Sequence, residues 1–166
     1  MQFSKQLVAL PCSPQELSSP QELSLQLSSR KPTHTLVVVD PSVEDSVALM
    51  QAINEETELI VLDSRRNGVE QLTEILDYRR QIQHLQLIAL GCPGRIQLGT
   101  IWLDSSSLPL YRSQLQSWQQ AFEPDATLLL YDCTIALGIE GMEFVGQLSR
   151  ILRMLVSVSW APHIQE

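Results

Sequence analysis

The chain has 166 residues, of which 44% are hydrophobic, and its formal net charge at pH 7 is −8. This length is typical of a single domain, and an acidic balance without a basic run argues against nucleic acid as a partner, because phosphate backbones bind to clustered cations. No stretch approaches the roughly 18 continuous apolar residues of a membrane span, so we expect no transmembrane segment.

The first 33 residues differ in composition from the rest of the chain. The sequence Ser-Pro-Gln-Glu-Leu begins at Ser13 and again at Ser19. Ser-Pro pairs oppose helix formation, because the residue before a proline is pushed toward extended geometry. We predict an extended or poorly ordered arm over residues 1–33, followed by an α/β domain over residues 34–166. An alternative role for the arm is docking, in which its spaced leucines pack on a partner protein or on a neighbouring subunit.

Apolar runs alternate with helical patterns from residue 35 onward. Strands are predicted over residues 36–40, 59–63, 85–90, 126–131 and 156–160, and helices over residues 43–53, 69–76, 111–122 and 142–152. A small hairpin around Gly99 is predicted after the third strand. Strand–helix crossovers of this kind imply a mainly parallel sheet with helices on both faces, which is the α/β class.

Sites in parallel sheets form at the carboxyl ends of the strands. Asp40 and Asp63 end the first two predicted strands, and Cys92 and Cys133 follow the third and fourth. The third and fourth predicted strands follow each other in the chain, apart from the small hairpin. We therefore expect them to be neighbours in the sheet and the two cysteines to lie at neighbouring strand ends. Asp40 precedes a Pro-Ser pair, so we interpret it as a helix cap rather than as a catalytic group.

Two blocks of the sequence resemble a known family. Residues 91–99, Gly-Cys-Pro-Gly-Arg-Ile-Gln-Leu-Gly, resemble the pattern Ser-His-Gly-x-x-Gly-x-Leu-x-Leu-Gly, and residues 129–133, Leu-Leu-Tyr-Asp-Cys, resemble its Leu-Leu-Tyr-Gly-Cys block. The family is a bacterial domain of unknown function, usually found at the N-terminus of large, repeat-rich surface or secreted proteins. It is related to the caspase and gingipain cysteine peptidases, and the resemblance therefore implies a caspase-like three-layer sandwich. Further positions that match the family are Asp40, Asp63, residues 68–71, Gly138 and Gly141.

The resemblance also implies a degenerate active site. In the related peptidases a cysteine attacks a carbonyl, a histidine assists proton transfer, and a backbone N–H holds the oxyanion. Carried over to this chain, the nucleophile falls on Cys133, the oxyanion N–H on Gly91 and the histidine position on Leu90. Leucine can neither accept nor give a proton, and loss of general acid–base help removes a factor of roughly 10²–10⁴ in rate.

None of the histidines is expected to replace the missing base. His34 precedes the first predicted strand and His84 begins the third, so both fall at the amino ends, away from the expected site. His163 lies in the C-terminal tail, where side chains are commonly exposed.

We therefore predict a catalytically inactive caspase-like domain that acts as a protein-binding or assembly module. Two alternatives stay open: a cysteine peptidase or self-processing domain that uses Cys133, and a thiol redox module that uses Cys92 and Cys133. No cofactor is predicted, and no metal site, because a third or fourth ligand to join the cysteines is not evident. The odd cysteine count favours a cytoplasmic location, with export independent of a signal peptide as the alternative.

Overall fold

The computed structural model of the protein describes residues 34–43 and 56–159, apart from the side chain of Cys133. The predicted arm over residues 1–33, most of the predicted helix over 43–53, and His163 lie outside these residues. The strands are β1 (Thr35–Val39), β2 (Thr57–Val61), β3 (Ile82–Ile88), β4 (Gly91–Cys92), β5 (Arg95–Leu98), β6 (Ile101–Asp104), β7 (Phe122–Tyr131) and β8 (Leu155–Ser159). The helices are α1 (Gly68–Asp77), α2 (Leu108–Ser117) and α3 (Gly138–Leu152), and single 3₁₀ turns occupy Trp118–Ala121 and Cys133–Ala136.

The main sheet is parallel and has the strand order β2-β1-β3-β7-β8. After β3 the chain leaves this sheet and forms a small antiparallel sheet from β4, β5 and β6 before it returns through α2 to β7. The architecture is a mainly parallel sheet flanked by helices, consistent with a three-layer α/β sandwich. The predicted α/β class and the hairpin after the third strand are therefore confirmed.

The apolar run of β1 explains the central position of this strand. Because successive side chains of a strand point to opposite faces, a continuous run such as Thr-Leu-Val-Val-Val is stable only where both faces are covered. One face contributes to the larger core cluster, together with side chains of α1, α2 and α3. The opposite face carries a smaller cluster of Val37, Val39 and Ile88. Each such side chain contributes about 1.5–3 kcal/mol by leaving water.

The structure corrects the end of one predicted helix and the buried face of another. The predicted helix over residues 111–122 ends earlier, because α2 stops at Ser117 and Phe122 already opens β7. Pro124 follows within the strand, where its missing N–H would have broken a longer helix. In the last helix, helical spacing groups Met142 with Val145 and Leu148 on one apolar stripe. Met142 is nevertheless 65% exposed, and Phe144 is fully buried.

A buried carboxylate ties the hairpin to the main sheet. Asp40 is 2% exposed, and its Oδ2 accepts a hydrogen bond from the Gly99 N–H at 2.5 Å. Its Oδ1 accepts from the Ser42 N–H at 2.9 Å. The helix that Asp40 was predicted to cap lies outside the described residues, so the capping role stays a prediction. Gly99 has φ +60°, and a Cβ there would lie 2.0 Å from the Arg66 carbonyl oxygen. We call Asp40, Arg66 and Gly99 the hairpin junction.

Gln71 fixes the loop that carries Arg66. This side chain is buried, and its Oε1 accepts from the Asp63 N–H at 2.7 Å. Its Nε2 donates to the carbonyl oxygens of Asp63 at 2.9 Å and Arg66 at 3.2 Å. The loop therefore presents the Arg66 carbonyl to the Thr100 N–H, which donates to it at 3.0 Å.

Candidate functional site

The carboxyl ends of β3 and β7 lie side by side, as predicted from their order in the chain. The two strands pair in parallel, with Ile88 opposite Tyr131 at their ends. The third strand was predicted to reach residue 90, but it ends at Ile88, and Leu90 lies in the link to β4. The link and the residues after Tyr131 therefore meet at one edge of the sheet.

Leu90 occupies this edge as a partly exposed side chain. It is 48% exposed, and its backbone carbonyl accepts a hydrogen bond from the Gln97 N–H at 2.9 Å. The side chain supplies no group that could transfer a proton. Its backbone is held by the hairpin, so its position is set by the small sheet.

The Gly91 N–H donates to a carboxylate of the same chain. Asp132 Oδ2 accepts this hydrogen bond at 3.1 Å. The other carboxylate oxygen, Oδ1, accepts from the Thr134 N–H at 2.9 Å and from the Thr134 hydroxyl at 2.5 Å. A Cβ on Gly91 would lie 2.3 Å from Ile135 Cγ1, so the turn packs directly on this glycine. We call Gly91, Asp132 and Thr134 the strand-end clamp.

Cys133 opens the 3₁₀ turn that follows Asp132. Asp132 is the residue that caps this turn, since its side chain accepts from the second N–H inside it. The carbonyl of Ile135 in turn accepts from the Gly94 N–H at 2.9 Å. The backbone of Cys133 is thus placed at the end of β7, next to the β4 segment, as the sequence predicted.

Cys92 carries a free thiol in β4. Its Sγ accepts a hydrogen bond from Arg95 Nε at 2.9 Å, and this contact raises the pKa of the Arg95 guanidinium. The same guanidinium lies 4.9 Å from the centre of the Trp102 ring, a distance typical of cation–π contact. The proposed pairing of Cys92 with Cys133 stays a prediction, because it depends on the Cys133 side chain.

An acidic cavity of about 640 Å³ adjoins Cys92. Its charged lining residues are the carboxylates Asp104, Glu140 and Glu143 and the single cation Arg95. The hydroxyl of Ser106 donates to Asp104 Oδ1 at 2.6 Å and is the main reason that the pKa of Asp104 is lowered. Among the described residues no group of three His, Cys, Asp or Glu side chains could hold a metal ion.

Both described histidines lie at the amino ends of the strands. His34 precedes β1, and His84 lies in the first half of β3, where its ring Nδ1 is 2.9 Å from the hydroxyl of Thr127 on β7. They are therefore at the opposite edge of the sheet from Leu90, as the sequence predicted. In the described part of the chain no helix is long and apolar enough to cross a membrane.

Three contacts at the strand ends were not anticipated from the sequence. They are the Gly91–Asp132 hydrogen bond, the Gly99–Asp40 hydrogen bond and the anchoring role of Gln71. One signal was available for the first of them. Asp132 stands where the resembled block has glycine, and a carboxylate beside a turn of small residues indicates backbone capping.

Comparison with known proteins gives one match. A family model with the description Domain of unknown function (DUF4347) matches residues 36–162. No curated protein and no solved structure matches the chain.

Proposed function

This chain belongs to the family described as Domain of unknown function (DUF4347), and on that premise we propose that its domain is a catalytically inactive relative of the caspase- and gingipain-like cysteine peptidases that serves as a protein-binding or assembly module. The proposal has two parts, the loss of the chemical step and the retention of a binding surface. The caspase-like relation itself rests on the resemblance of residues 91–99 and 129–133.

The first support is that no described histidine lies at the carboxyl ends of β3 and β7. A thiol attacks a carbonyl as a thiolate, and an adjacent base or another stabilising group is needed to form one at neutral pH. The histidine position holds Leu90, and both described histidines lie at the opposite edge of the sheet. Cys133 therefore has no described histidine to activate it.

The single observation that carries the proposal is the hydrogen bond from the Gly91 N–H to Asp132 Oδ2 at 3.1 Å. The resemblance assigns this N–H to the oxyanion of the transition state. In this chain a carboxylate occupies it, and a second negative charge at the same N–H would be repelled rather than stabilised. Loss of one such donor costs roughly 10²–10³ in rate, in addition to the loss of the base.

The second support is the set of exposed apolar side chains at the same edge. Leu137, Ile139 and Met142 are 55%, 73% and 65% exposed, respectively, and Leu90 adds a further partly exposed side chain. Single exposed apolar residues are ordinary, but a group of them on one edge of a domain is typical of an interaction surface. This edge is therefore better suited to holding a partner than to cleaving one.

A cleavage assay with restored residues tests the first part. We expect the wild-type chain and Leu90→His to leave a mixed peptide library intact, because Asp132 still occupies the Gly91 N–H. Leu90→His combined with Asp132→Gly restores the resembled pattern at both positions and is the variant in which cleavage should first be detectable. The matched control is the same double variant with Cys133→Ser. Cleavage by the wild-type chain that Cys133→Ser abolishes would overturn the proposal.

Thiol reactivity gives an independent measurement. In a chain with Cys12→Ser and Cys92→Ser, alkylation should report on Cys133 alone. We expect the rate to rise with pH toward about 8.5, as for an ordinary thiol. A high rate that persists near pH 6 would reveal an activated thiolate and favour the peptidase alternative.

A further inference from the structure

We propose that the domain self-assembles head to tail. The surface at the carboxyl ends of the parallel strands in one copy docks on the surface at their amino ends in the next copy. The inference rests on the proposed function, since it specifies the partner as a second copy of this chain. Two surfaces carry it, at opposite ends of α3. The acidic end face consists of Pro93, Leu137, Ile139, Glu140, Met142 and Glu143. The basic end face consists of Pro124, Arg150, Arg153, Met154 and Leu155.

The acidic end face combines exposed aliphatic side chains with unpaired carboxylates. A hollow of about 450 Å³ is lined by Pro93, Leu137 and Ile139, and it adjoins the acidic cavity through Glu140. Within residues 34–43 and 56–159, neither Glu140 nor Glu143 forms an ion pair. Since Arg95 is the one cation that lines the cavity, this face is net negative.

The basic end face also combines exposed apolar side chains with charged ones, but its net charge is positive. A hollow of about 530 Å³ lies between the start of β7 and the end of α3. Arg150 and Arg153 line it and are exposed, and neither forms an ion pair with any described residue. Leu155, which is 66% exposed, also lines it, and Asp125 is its one carboxylate. This face is therefore net positive and partly apolar.

Charge complementarity selects a second copy and sets the orientation. Pairing either face with itself would oppose like charges, which disfavours a two-fold symmetric dimer through either one. Pairing the acidic end face with the basic end face of another copy joins opposite charges and removes Ile139 and Leu155 from water. Because α3 has 15 residues and separates the two faces, every added copy leaves one face of each kind open. The contact is heterologous and does not close at two copies.

A purely intramolecular role for the charges is the main alternative. Glutamates near the start of a helix and arginines near its end interact favourably with the helix dipole, and they stabilise α3 whether or not copies associate. The dipole gives no reason for exposed aliphatic side chains beside the charges at both ends. Association and stability must therefore be measured separately.

Sedimentation velocity of the full chain over a range of concentrations tests the inference. We expect species larger than a dimer to appear as the concentration rises, and to shrink at high salt, which screens exposed charges. Glu140→Lys with Glu143→Lys, and separately Arg150→Glu with Arg153→Glu, should each weaken association by more than about tenfold. The matched control for the glutamate reversals is Glu70→Lys with Asp77→Lys, which raises the net charge by the same amount at exposed positions of α1 and should leave association unchanged.

Mixing the two charge-reversed variants gives the decisive measurement. Each variant alone has two faces of the same sign, whereas an equimolar mixture restores opposite signs at every contact. We expect neither variant alone to assemble and the mixture to do so, with circular dichroism confirming that both are folded. A wild-type chain that stays monomeric at low salt, or assembles regardless of these reversals, would overturn the inference. Neither result would touch the proposed loss of catalysis, which the cleavage assay tests by itself.

Discussion

The hairpin junction and the strand-end clamp use the same device in different surroundings. In each, one aspartate accepts hydrogen bonds from two backbone N–H groups of different segments. Asp40 in the junction is 2% exposed, whereas Asp132 in the clamp is only half-buried. The first carboxylate positions the hairpin, and the second covers the N–H that the resemblance assigns to chemistry.

The comparison shows how a fold is kept while a site changes. Asp40 and Gly99 match the resembled family pattern, and both belong to the junction. Leu90 and Asp132 depart from it, and both lie at the strand ends. Junction residues are fixed by packing and backbone geometry, so substitutions there affect the whole domain. Strand-end residues such as Leu90 and Asp132 are partly exposed, so we expect substitutions there to cost less stability than substitutions in the junction.

The largest expected effect comes from Gly99→Ala in the junction. The new Cβ would lie 2.0 Å from the Arg66 carbonyl oxygen, and the alanine backbone would have to adopt φ +60°. We expect a loss of about 3 kcal/mol in the free energy of unfolding, the sum of overpacking and backbone strain. Gly138→Ala is the matched control, because Gly138 has φ +70° but no atom within 4 Å of the added Cβ. It should lose only about 1 kcal/mol in urea unfolding. Equal losses would mean that the junction is not tightly packed.

The two carboxylates themselves give the next largest effect. Asparagine keeps one acceptor oxygen and replaces the other with a donor, so each variant must break at least one of the hydrogen bonds that the carboxylate accepts from a backbone N–H. We expect Asp40→Asn to lose about 2 kcal/mol, because its partner N–H is buried. Asp132→Asn should lose about 1 kcal/mol, since water reaches that clamp. Asp63→Asn is the control, with a change below about 0.5 kcal/mol, because the hydrogen bonds that the Asp63 carboxylate accepts from described residues come from Arg65 at an exposed site. A larger loss for Asp132→Asn than for Asp40→Asn would reverse the comparison.

The smallest expected effect is a pH dependence of stability from Asp104 in the acidic cavity. Hydrogen bonds, above all from the Ser106 hydroxyl, lower the pKa of Asp104 in the folded state. Asp104 therefore contributes stability above the unfolded-state pKa of about 3.9, and the contribution disappears as pH falls through the lower folded-state pKa. Unfolding of wild type and Asp104→Asn between about pH 6 and pH 2 should show a difference that vanishes at the acidic end. Ser106→Ala should reduce that difference, and a difference that grows on acidification would contradict the assigned cause.

Sequence patterns predicted the strands well because burial on two faces leaves a clear local signal. The apolar runs of β1 and β7 appear in the printed sequence without any knowledge of their partners. Helix faces were less predictable, because which side of α3 is buried depends on how the helix lies on the sheet. Met142 is therefore exposed and Phe144 buried, although spacing alone groups Met142 with the buried apolar stripe.

The location of the candidate site was predictable from the sequence, but its hydrogen bonds were not. Parallel strands and their order placed Leu90, Gly91 and Cys133 at one edge. The hydrogen bond between Gly91 and Asp132 joins residues 41 positions apart, and the bond between Gly99 and Asp40 joins residues 59 apart. Such bonds depend on the folded arrangement of whole segments, which no local pattern encodes.

The strand order also has a consequence for synthesis on the ribosome. β1, β2 and β3 are translated first and are neighbours in the sheet, whereas the next neighbour of β3 is β7, which follows the entire hairpin and α2. A nascent chain thus passes through a stage in which the far edge of β3 has no strand beside it. Open strand edges promote association between unfinished chains. The segment between β3 and β7 therefore sets how long each growing chain is vulnerable to aggregation.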